Sequence, residues 1–538
     1  FDKIEIGIDL IRSLNNENIF NEFLKNVKYV SDKWRGNFTH DWKGAGPDQH
    51  YFNTAILGLI NFSPEGSFGF EIRKSVNILL LEGEIESGYS RTTSYIYCKY
   101  ISNFKNLKTL ILKNFREING FEAIYDLPIE GLEIDRVYGE NFDDGVFPNT
   151  NEKWEFKNLK TLHINLTKHM LEPGQISSSS NIKVFDNINF ISELDSIENL
   201  YINGSNYDLQ VFSIDGLKNL LKLKYLSFRN LAFNSLDSLS SLKDLNYVTI
   251  SDADSLEDIS GLKNSKNLEF LELTYCEKLT DISPLNGLNN LKLVNLKHNK
   301  MLNSLKGLEN SKKLEGIDIS YSSVVNLDSL VNATNLYSIH AKNCYQLNNI
   351  CGLKNSTKLK EIEILQSKIL YSLEGLENCS DLRLITLSGS GITNVDPLIN
   401  CKNIFNNNDK KWTEDVKEWG PTGYVNNPFG NVIDEITEVG YGNIISTGYV
   451  SDQCRNYYKD REWSAPQLNE FTISNCPNLE NINGLKNIGI QLLILKNCPK
   501  IIDPSLSEFY TLQCLDFEGC ASLNSLESLI DLPIDKLF

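Results

Sequence analysis

Between residues 268 and 398 the apolar positions recur in one order six times. Leu268, Leu271, Leu273, Cys276, Leu279, Ile282 and Leu285 form one copy, and Leu291, Val294, Leu296, Asn299, Leu302, Leu305 and Leu308 the next. Further copies start at Leu314, Leu336, Leu359 and Leu382, so the starts lie 23, 23, 22, 23 and 23 residues apart. A fixed period of this size marks a solenoid in which each copy is one coil. Within a coil, two apolar residues spaced by two have strand periodicity. The second half carries spacing of three, which suits a short 3₁₀ or α turn. Over 280–285, Ser283 is placed to cap such a turn and Pro284 to take its first position. Stacked coils pair their strands into one parallel sheet at roughly 4.8 Å per coil, and a bulkier back bends the stack with the sheet on the inside. About fifteen coils then give an arc on the order of 70 Å along the sheet.

The same pattern extends in both directions. Earlier coils start at Leu107, Ile129, Leu159, Ile197, Leu223 and Leu245, and the repeat fades in near Val76, Leu79 and Leu81. The early spacings are irregular, with extra residues at 82–103, 138–153 and 166–190 that map to loops on a rim. Later coils start at Leu468, Ile490 and Leu512, and Ile534 and Leu537 take strand positions in the last. That last strand is expected to be covered or continued, since a bare edge invites pairing with another chain. Four segments result: 1–62 outside the repeat, 63–404 as solenoid, 405–466 as an interruption, and 467–538 as solenoid resumed. In the first segment Ile19, Phe20, Phe23, Leu24, Val27 and Val30 predict an amphipathic helix over 17–30, part of a cap on the first coil. The interruption holds Trp412, Trp419 and Trp463 among several tyrosines, too aromatic for a disordered linker, and is expected to be a small folded excursion.

Charge and composition narrow the function. The chain has 538 residues and a formal charge of −18, which disfavours nucleic acid or an anionic membrane as the main partner. No apolar run approaches the roughly 20 residues needed to span a bilayer. Five of the eleven cysteines, Cys276, Cys344, Cys476, Cys498 and Cys520, share one turn position, where a small thiol can serve inward-facing backbone groups. They are expected to be free thiols, which points to a reducing, cytoplasmic compartment; a secreted or surface protein is the alternative if a signal has been removed upstream of Phe1. No catalytic or nucleotide-binding fingerprint is present. His40, Asp41, Asp48 and His50 lie close in sequence but read as ordinary loop residues, so neither metal nor cofactor is expected.

These residues resemble the leucine-rich repeat family. Its pattern L-x-x-L-x-L-x-x-N/C-x-L is matched from Leu291 to Leu302 with Asn299 in place, and the short coil with Asp-Ile-Ser-Pro-Leu at 281–285 looks most like the internalin-type bacterial repeat. The resemblance covers roughly 76–404 and 468–538. It implies an α/β solenoid with a parallel concave β-sheet and short 3₁₀ or α turns on the convex side, and it implies a general recognition scaffold.

The concave face is the informative part. Outward strand residues lie two, four, six and seven positions after the first leucine of each coil. The second position gives Tyr225, Tyr247 and Phe270; the fourth gives Glu272, Asp318, His340 and Glu363; the seventh gives Tyr275, His298 and Tyr321. Aromatic residues beside acidic ones describe an interface core and its polar surround. With Glu133, Asp135, Asp516 and Glu518 on the same face, the expected partner is a protein or peptide with basic groups. The expectation is therefore a non-enzymatic protein-binding solenoid, helped by the rim loops and by the interruption with its Trp412, Trp419 and Trp463. The alternatives are a carbohydrate-binding or adhesive surface protein, or a carrier for an enzymatic N-terminal or inserted domain.

Overall fold

The computed structural model describes residues 68–82, 95–138, 153–168, 187–204, 213–401 and 470–537, apart from 114, 116, 383, 487 and 503, with short pieces at 29–30, 33–37, 60–61, 66, 85–86 and 91–92. The chain divides into two compact units, 1–256 with 260–265, and 257–259 with 266–538.

In the first unit, Lys33–Asn37, Ile78–Glu82, Thr109–Lys113, Gly131–Tyr138, Thr161–Lys168, Asn199–Asn203, Tyr225–Arg229 and Tyr247–Ser251 lie side by side, each parallel to the next. The repeat sets their register. Leu79, Leu110, Leu132, Leu162, Leu200, Leu226 and Val248 are opposite one another across the sheet, and all are buried. Each contributes about 1.5–3 kcal/mol by leaving water. A slip of one residue would turn the whole row outward, so the register is strongly specified. The extra residues of the irregular coils leave this row intact. Between two of these strands, Tyr95–Tyr97 and Glu117–Asn119 form a small parallel pair of their own.

The start of the chain differs from the expected helix over 17–30. Tyr29–Val30 is a strand, antiparallel to Lys33–Asn37, which in turn pairs with Ile78–Glu82. The open edge of the sheet offers unpaired backbone groups, and pairing there wins over helical spacing. Residues 17–28, and with them His40, Asp41, Asp48 and His50, lie outside the described residues. The periodicity also missed an eight-residue helix, Phe68–Ser75, that leads into the strand Ile78–Glu82 and buries Ile72.

The second unit repeats the design with Phe270–Thr274, Leu293–Asn295, Gly316–Asp318, Ser338–Lys342, Glu361–Leu365 and Leu384–Ser388. The chain then leaves at Cys401 and rejoins at Glu470, and the strand Glu470–Ser474 pairs directly with Leu384–Ser388, Leu387 opposite Ile473. Residues 405–466, including Trp412, Trp419 and Trp463, lie outside the described residues. Leu492–Lys496, Cys514–Asp516 and Lys536–Leu537 complete the row.

One backbone feature recurs at the end of most strands of the regular coils. Asn230, Asp252, Tyr275, His298, Tyr321, Asn343, Gln366, Asn475 and Asn497 all have φ between 53° and 64°, in the left-handed region. Each stands seven residues after the first leucine of its coil. The left-handed step lets its N–H continue the ladder to the next coil, as from Tyr275 to the Lys297 carbonyl (3.1 Å) and from Tyr321 to that of Lys342 (2.7 Å). It also turns the following residue inward, where Cys276, Asn299, Cys344, Cys476, Cys498 and Cys520 are buried. Asn299 shows what that position requires: its amide donates to the carbonyls of Leu273 (2.8 Å) and Leu296 (3.0 Å), and its oxygen accepts from the Cys276 N–H (2.9 Å). The thiols do less of the same, Cys344 donating to the Ile319 carbonyl at 3.2 Å and Cys520 to that of Leu495 at 3.1 Å. All ten described cysteines are free thiols. Burial pushes Cys344 up to about 11 and Cys379 and Cys401 up to about 12, so they are poor nucleophiles.

On the back of most coils the turns are 3₁₀, as at Ser283–Leu285 with Pro284 in its first turn. The cap is not Ser283, however. Asp281 accepts both the Ser283 N–H (2.8 Å) and its hydroxyl (2.7 Å), and Asn326, Asn349, Asn394 and Asn481 hold the matching N–H groups in other coils. The reason is that a carboxylate or amide two residues ahead of the N–H closes an Asx turn. The turns approach the preceding coil closely at glycines: a Cβ on Gly352 would lie 1.8 Å from the Leu327 carbonyl oxygen. Gly352→Ala is therefore expected to lower stability by about 1–3 kcal/mol, read as a lower urea midpoint with unchanged slope. An unchanged midpoint would show that the coils can separate freely at their backs.

Candidate functional site

The outward residues of each strand meet across coils, in a pattern only the register reveals. Tyr225 and Tyr247, opposite each other in the first unit, stack with ring centroids 4.6 Å apart and planes 16° from parallel. In the second unit Tyr275, His298 and Tyr321 stack in sequence, 4.1 Å and 4.2 Å apart, with both pairs 10° from parallel. Tyr275 and Tyr321 remain 42% and 38% exposed. Phe270 departs from the expected file of water-facing aromatics. It is buried, opposite Leu293 in the second unit. Two aromatic members of the face escaped the sequence reading: Tyr201 and, meeting it edge-on at 5.9 Å, His163. Irregular spacings of 30, 38 and 26 residues around those coils hid their position.

The stack Tyr275–His298–Tyr321 carries a backbone cost. All three are left-handed, at a position where other coils place Asn, Asp, Gln or Gly. A non-glycine residue there costs about 1–2 kcal/mol, and Asn and Asp soften the cost by local hydrogen bonding. Ring stacking returns about 0.5–1.5 kcal/mol per pair.

The acidic residues are mostly neutralised within the chain. Lys113 lies 3.3 Å from Glu133 and 3.8 Å from Asp135; Lys342 lies 3.1 Å from Glu363; Lys496 lies 3.1 Å from Asp516 and 2.7 Å from Glu518. In each case the lysine stands six residues after the first apolar residue of one coil and the acids belong to the next. Glu272 is half-buried and accepts from the Thr274 hydroxyl at 3.4 Å, and Asp318 accepts the Ser320 N–H at 2.8 Å. The entry edge of the strands is balanced in the same way. Glu130 sits between Lys108 (3.6 Å) and Lys160 (2.8 Å), Glu198 pairs with Lys224 (2.8 Å), and Glu269 pairs with Lys292 (2.8 Å).

The densest polar group surrounds His340. Its Nδ1 is 2.9 Å from Glu363 Oε2, its Nε2 3.2 Å from Ser338 Oγ and 4.0 Å from Glu361 Oε1. Serine, imidazole and carboxylate stand in the order of a nucleophilic relay. Ser338 is fully buried, and its N–H is bonded to the Glu315 carbonyl at 3.1 Å, so neither substrate access nor an oxyanion donor exists at that hydroxyl. The group is an electrostatic network. Burial opposes charge on His340, but its bond to Glu363 and the fields of Glu361 and Asp318 outweigh burial and hold the imidazole above its ordinary 6.5. Burial likewise opposes the charge of Glu363, which His340 and Lys342 nevertheless hold below the usual range, while burial pushes Glu361 up. Among the described residues no group of three or more histidine, cysteine or acidic side chains could hold a metal ion.

Three solved structures are similar to this chain. A leucine-rich repeat protein from Leptospira interrogans has a TM-score of 0.53 at 14% identity, covering 88% of this chain and 100% of that one. An internalin (inlF) from Listeria monocytogenes has a TM-score of 0.39 at 19% identity, covering 64% of this chain and 87% of that one. The functional domain of InlJ from Listeria monocytogenes, described as including a cysteine ladder, has a TM-score of 0.36 at 15% identity, covering 57% of this chain and 63% of that one. No protein-family model and no curated protein sequence matches. The leucine-rich repeat fold that the sequence pattern implied is the fold of this chain.

Two measurements test this surface. Tyr321→Asn keeps a side chain that tolerates the left-handed step, so its stability is expected to stay within about 1 kcal/mol of the parent, whereas Tyr321→Val loses the stack and is intolerant of that step, costing about 2 kcal/mol or more. Equal losses would mean the step is unstrained. The second concerns pH. The folded pKa of His340 lies above 6.5, so its charge stabilises the fold below that pH, and the contribution is lost as pH rises through the folded value. His340→Gln should thus be less stable than the parent at pH 6, with the gap closing on the alkaline side. A gap constant with pH would show the ring carries no charge there.

Proposed function

We propose that this leucine-rich repeat solenoid is a non-catalytic recognition scaffold that holds a protein or peptide on the concave face of its sheet. The stack of Tyr275, His298 and Tyr321 carries the reading. Three consecutive coils accept a left-handed aromatic residue and leave two of the rings well exposed. Strain kept at a surface position points to a role outside the fold. The Tyr225–Tyr247 pair is a second aromatic platform in the other unit. Tyrosine offers a large contact area with few torsions to freeze, which is the property of protein-binding anchors. The stacked rings spend their faces on one another and present edges, hydroxyls and imidazole nitrogens. That favours a protein over a sugar, which needs open ring faces. Leucine-rich repeat folds are generally protein-interaction scaffolds. Among the described residues no helix is long and apolar enough to cross a membrane. The buried thiols support placing the protein in a reducing, cytoplasmic compartment.

The test replaces Tyr275, His298 and Tyr321 together with Asn, a residue their backbone accepts. The parent and this variant are used side by side to capture partners from the native source. A species retained by the parent and lost by the equally stable variant supports the reading. If every captured species is retained by the variant, recognition does not use this surface.

A further inference from the structure

The carboxylates around His340 hold an internal cation, and this has a consequence for the partner. His340 lies between Asp318 on one neighbouring strand and Glu361 and Glu363 on the other, with Ser338 and Lys342 on its own strand. Lys342 neutralises Glu363 at 3.1 Å. Glu361 is different. Only 7% of it is exposed, its Oε1 is 4.0 Å from His340, and its Oε2 is buried with no hydrogen-bond donor. The acids at the other end of this unit differ: Asp516 is also buried, but Lys496 reaches both it and Glu518. At His340 three carboxylates face one lysine, and the remaining charge is met by an imidazole that can give up its proton. A buried carboxylate oxygen without a donor is costly, so the arrangement persists at the expense of stability.

We propose that Glu361, Glu363 and Asp318 form an anchor for a basic side chain of the bound protein, which displaces His340 from the carboxylates when it enters. In the free chain the imidazole of His340 fills the anchor, and its protonated form is the one the carboxylates favour. A lysine or arginine side chain brings a permanent charge together with an apolar stem, and its head supplies the donor that Glu361 Oε2 lacks. Because the two cations compete for the same carboxylates, binding releases the His340 proton. The partner is therefore held more tightly as pH rises through the titration of His340, and by reciprocity the bound cation lowers the affinity of His340 for its proton by the same factor. This rests on the concave-face reading above and names the chemistry of the partner there.

The experiment needs no partner. The apparent pKa of His340 is measured from its imidazole Cε1–H resonance, assigned by its disappearance in His340→Gln, at constant ionic strength. Nα-acetyl-arginine amide and Nα-acetyl-lysine amide are the probes, and neutral Nα-acetyl-citrulline amide is the control. At saturation with either cation the apparent pKa is expected to move lower by about 1 pH unit, a tenfold effect on the proton affinity, and to stay fixed with citrulline. In Glu361→Gln, which keeps the shape of the side chain, the response to the cations should vanish. Should that variant fail to fold, Asp318→Asn, at a half-buried position, replaces it with the response weakened. A pKa unmoved by both cations overturns the anchor, and so does an equal response in Glu361→Gln. Such a failure leaves the aromatic stack standing, because the Asn variants of Tyr275, His298 and Tyr321 are read through partner capture alone.

Discussion

The left-handed residue that closes most of the strands is the constraint from which most of this structure follows. It serves two demands at once. Its N–H must reach the next coil, as His298 reaches the Ser320 carbonyl at 2.8 Å, and the next residue must turn into the core. No right-handed conformation does both. The inward residue then faces backbone groups that have lost their sheet partners. Asn299 meets them with three hydrogen bonds, and the buried thiols meet them with fewer. Small polar side chains and cysteine hold this position in most of the later coils, while Leu231 and Ala253 fill it without side-chain hydrogen bonds. The thiol contacts are why those cysteines read better as hydrogen-bonding side chains than as redox groups.

Most coils satisfy the left-handed step with residues suited to it: Asn230, Asp252, Asn343, Asn475 and Asn497, or the glycines Gly389 and Gly519. Tyr275, His298, Tyr321 and Gln366 depart from this, and the first three are consecutive. Three isolated aromatic residues would each carry the strain unaided. Placed in adjacent coils, they are brought to 4.1–4.2 Å by the same register that builds the core, and stacking offsets part of the cost. The stack still leaves Tyr275 and Tyr321 exposed, which is the observation behind the proposed contact surface.

Much of this was legible in the sequence, because a solenoid writes its core as a period. The buried rows through Leu110 and Leu226 in one unit and Ile339 and Ile362 in the other fall where the leucine spacing places them. What was not legible depends on neighbours about twenty residues away. Glu133, Glu363 and Asp516 look like free acids when read along the chain, and only the register shows a lysine from the preceding coil beside each. Phe270 has the alternation of an outward residue, yet its ring is buried. Tyr29–Val30 has helical spacing with its neighbours, but a sheet edge within reach decides otherwise. The cap at Asp281 was missed for a local reason, since the hydroxyl of Ser283 looked sufficient until the Asx turn was seen.

On the proposed reading, the charge pattern bears on the side from which a partner meets the sheet. At the entry edge, Lys108, Glu130 and Lys160 alternate in one unit and Glu269 and Lys292 pair in the other, so basic and acidic groups cancel along that edge. Exposed pairs of this kind add little stability and are screened by salt, but a row of them resists docking, since any single charge brought by a partner meets both signs. The exit edge has the opposite character in the second unit. There Tyr275 and Tyr321 are exposed, and Tyr345 extends the aromatic surface with its hydroxyl 3.3 Å from the Asn343 side chain. The His340 network lies on the strands between these edges, with Glu361 and Glu363 buried. A partner that settles first on the exit-edge aromatics would bring its own basic groups over that network from the apolar side, where removal of water strengthens the attraction of the carboxylates.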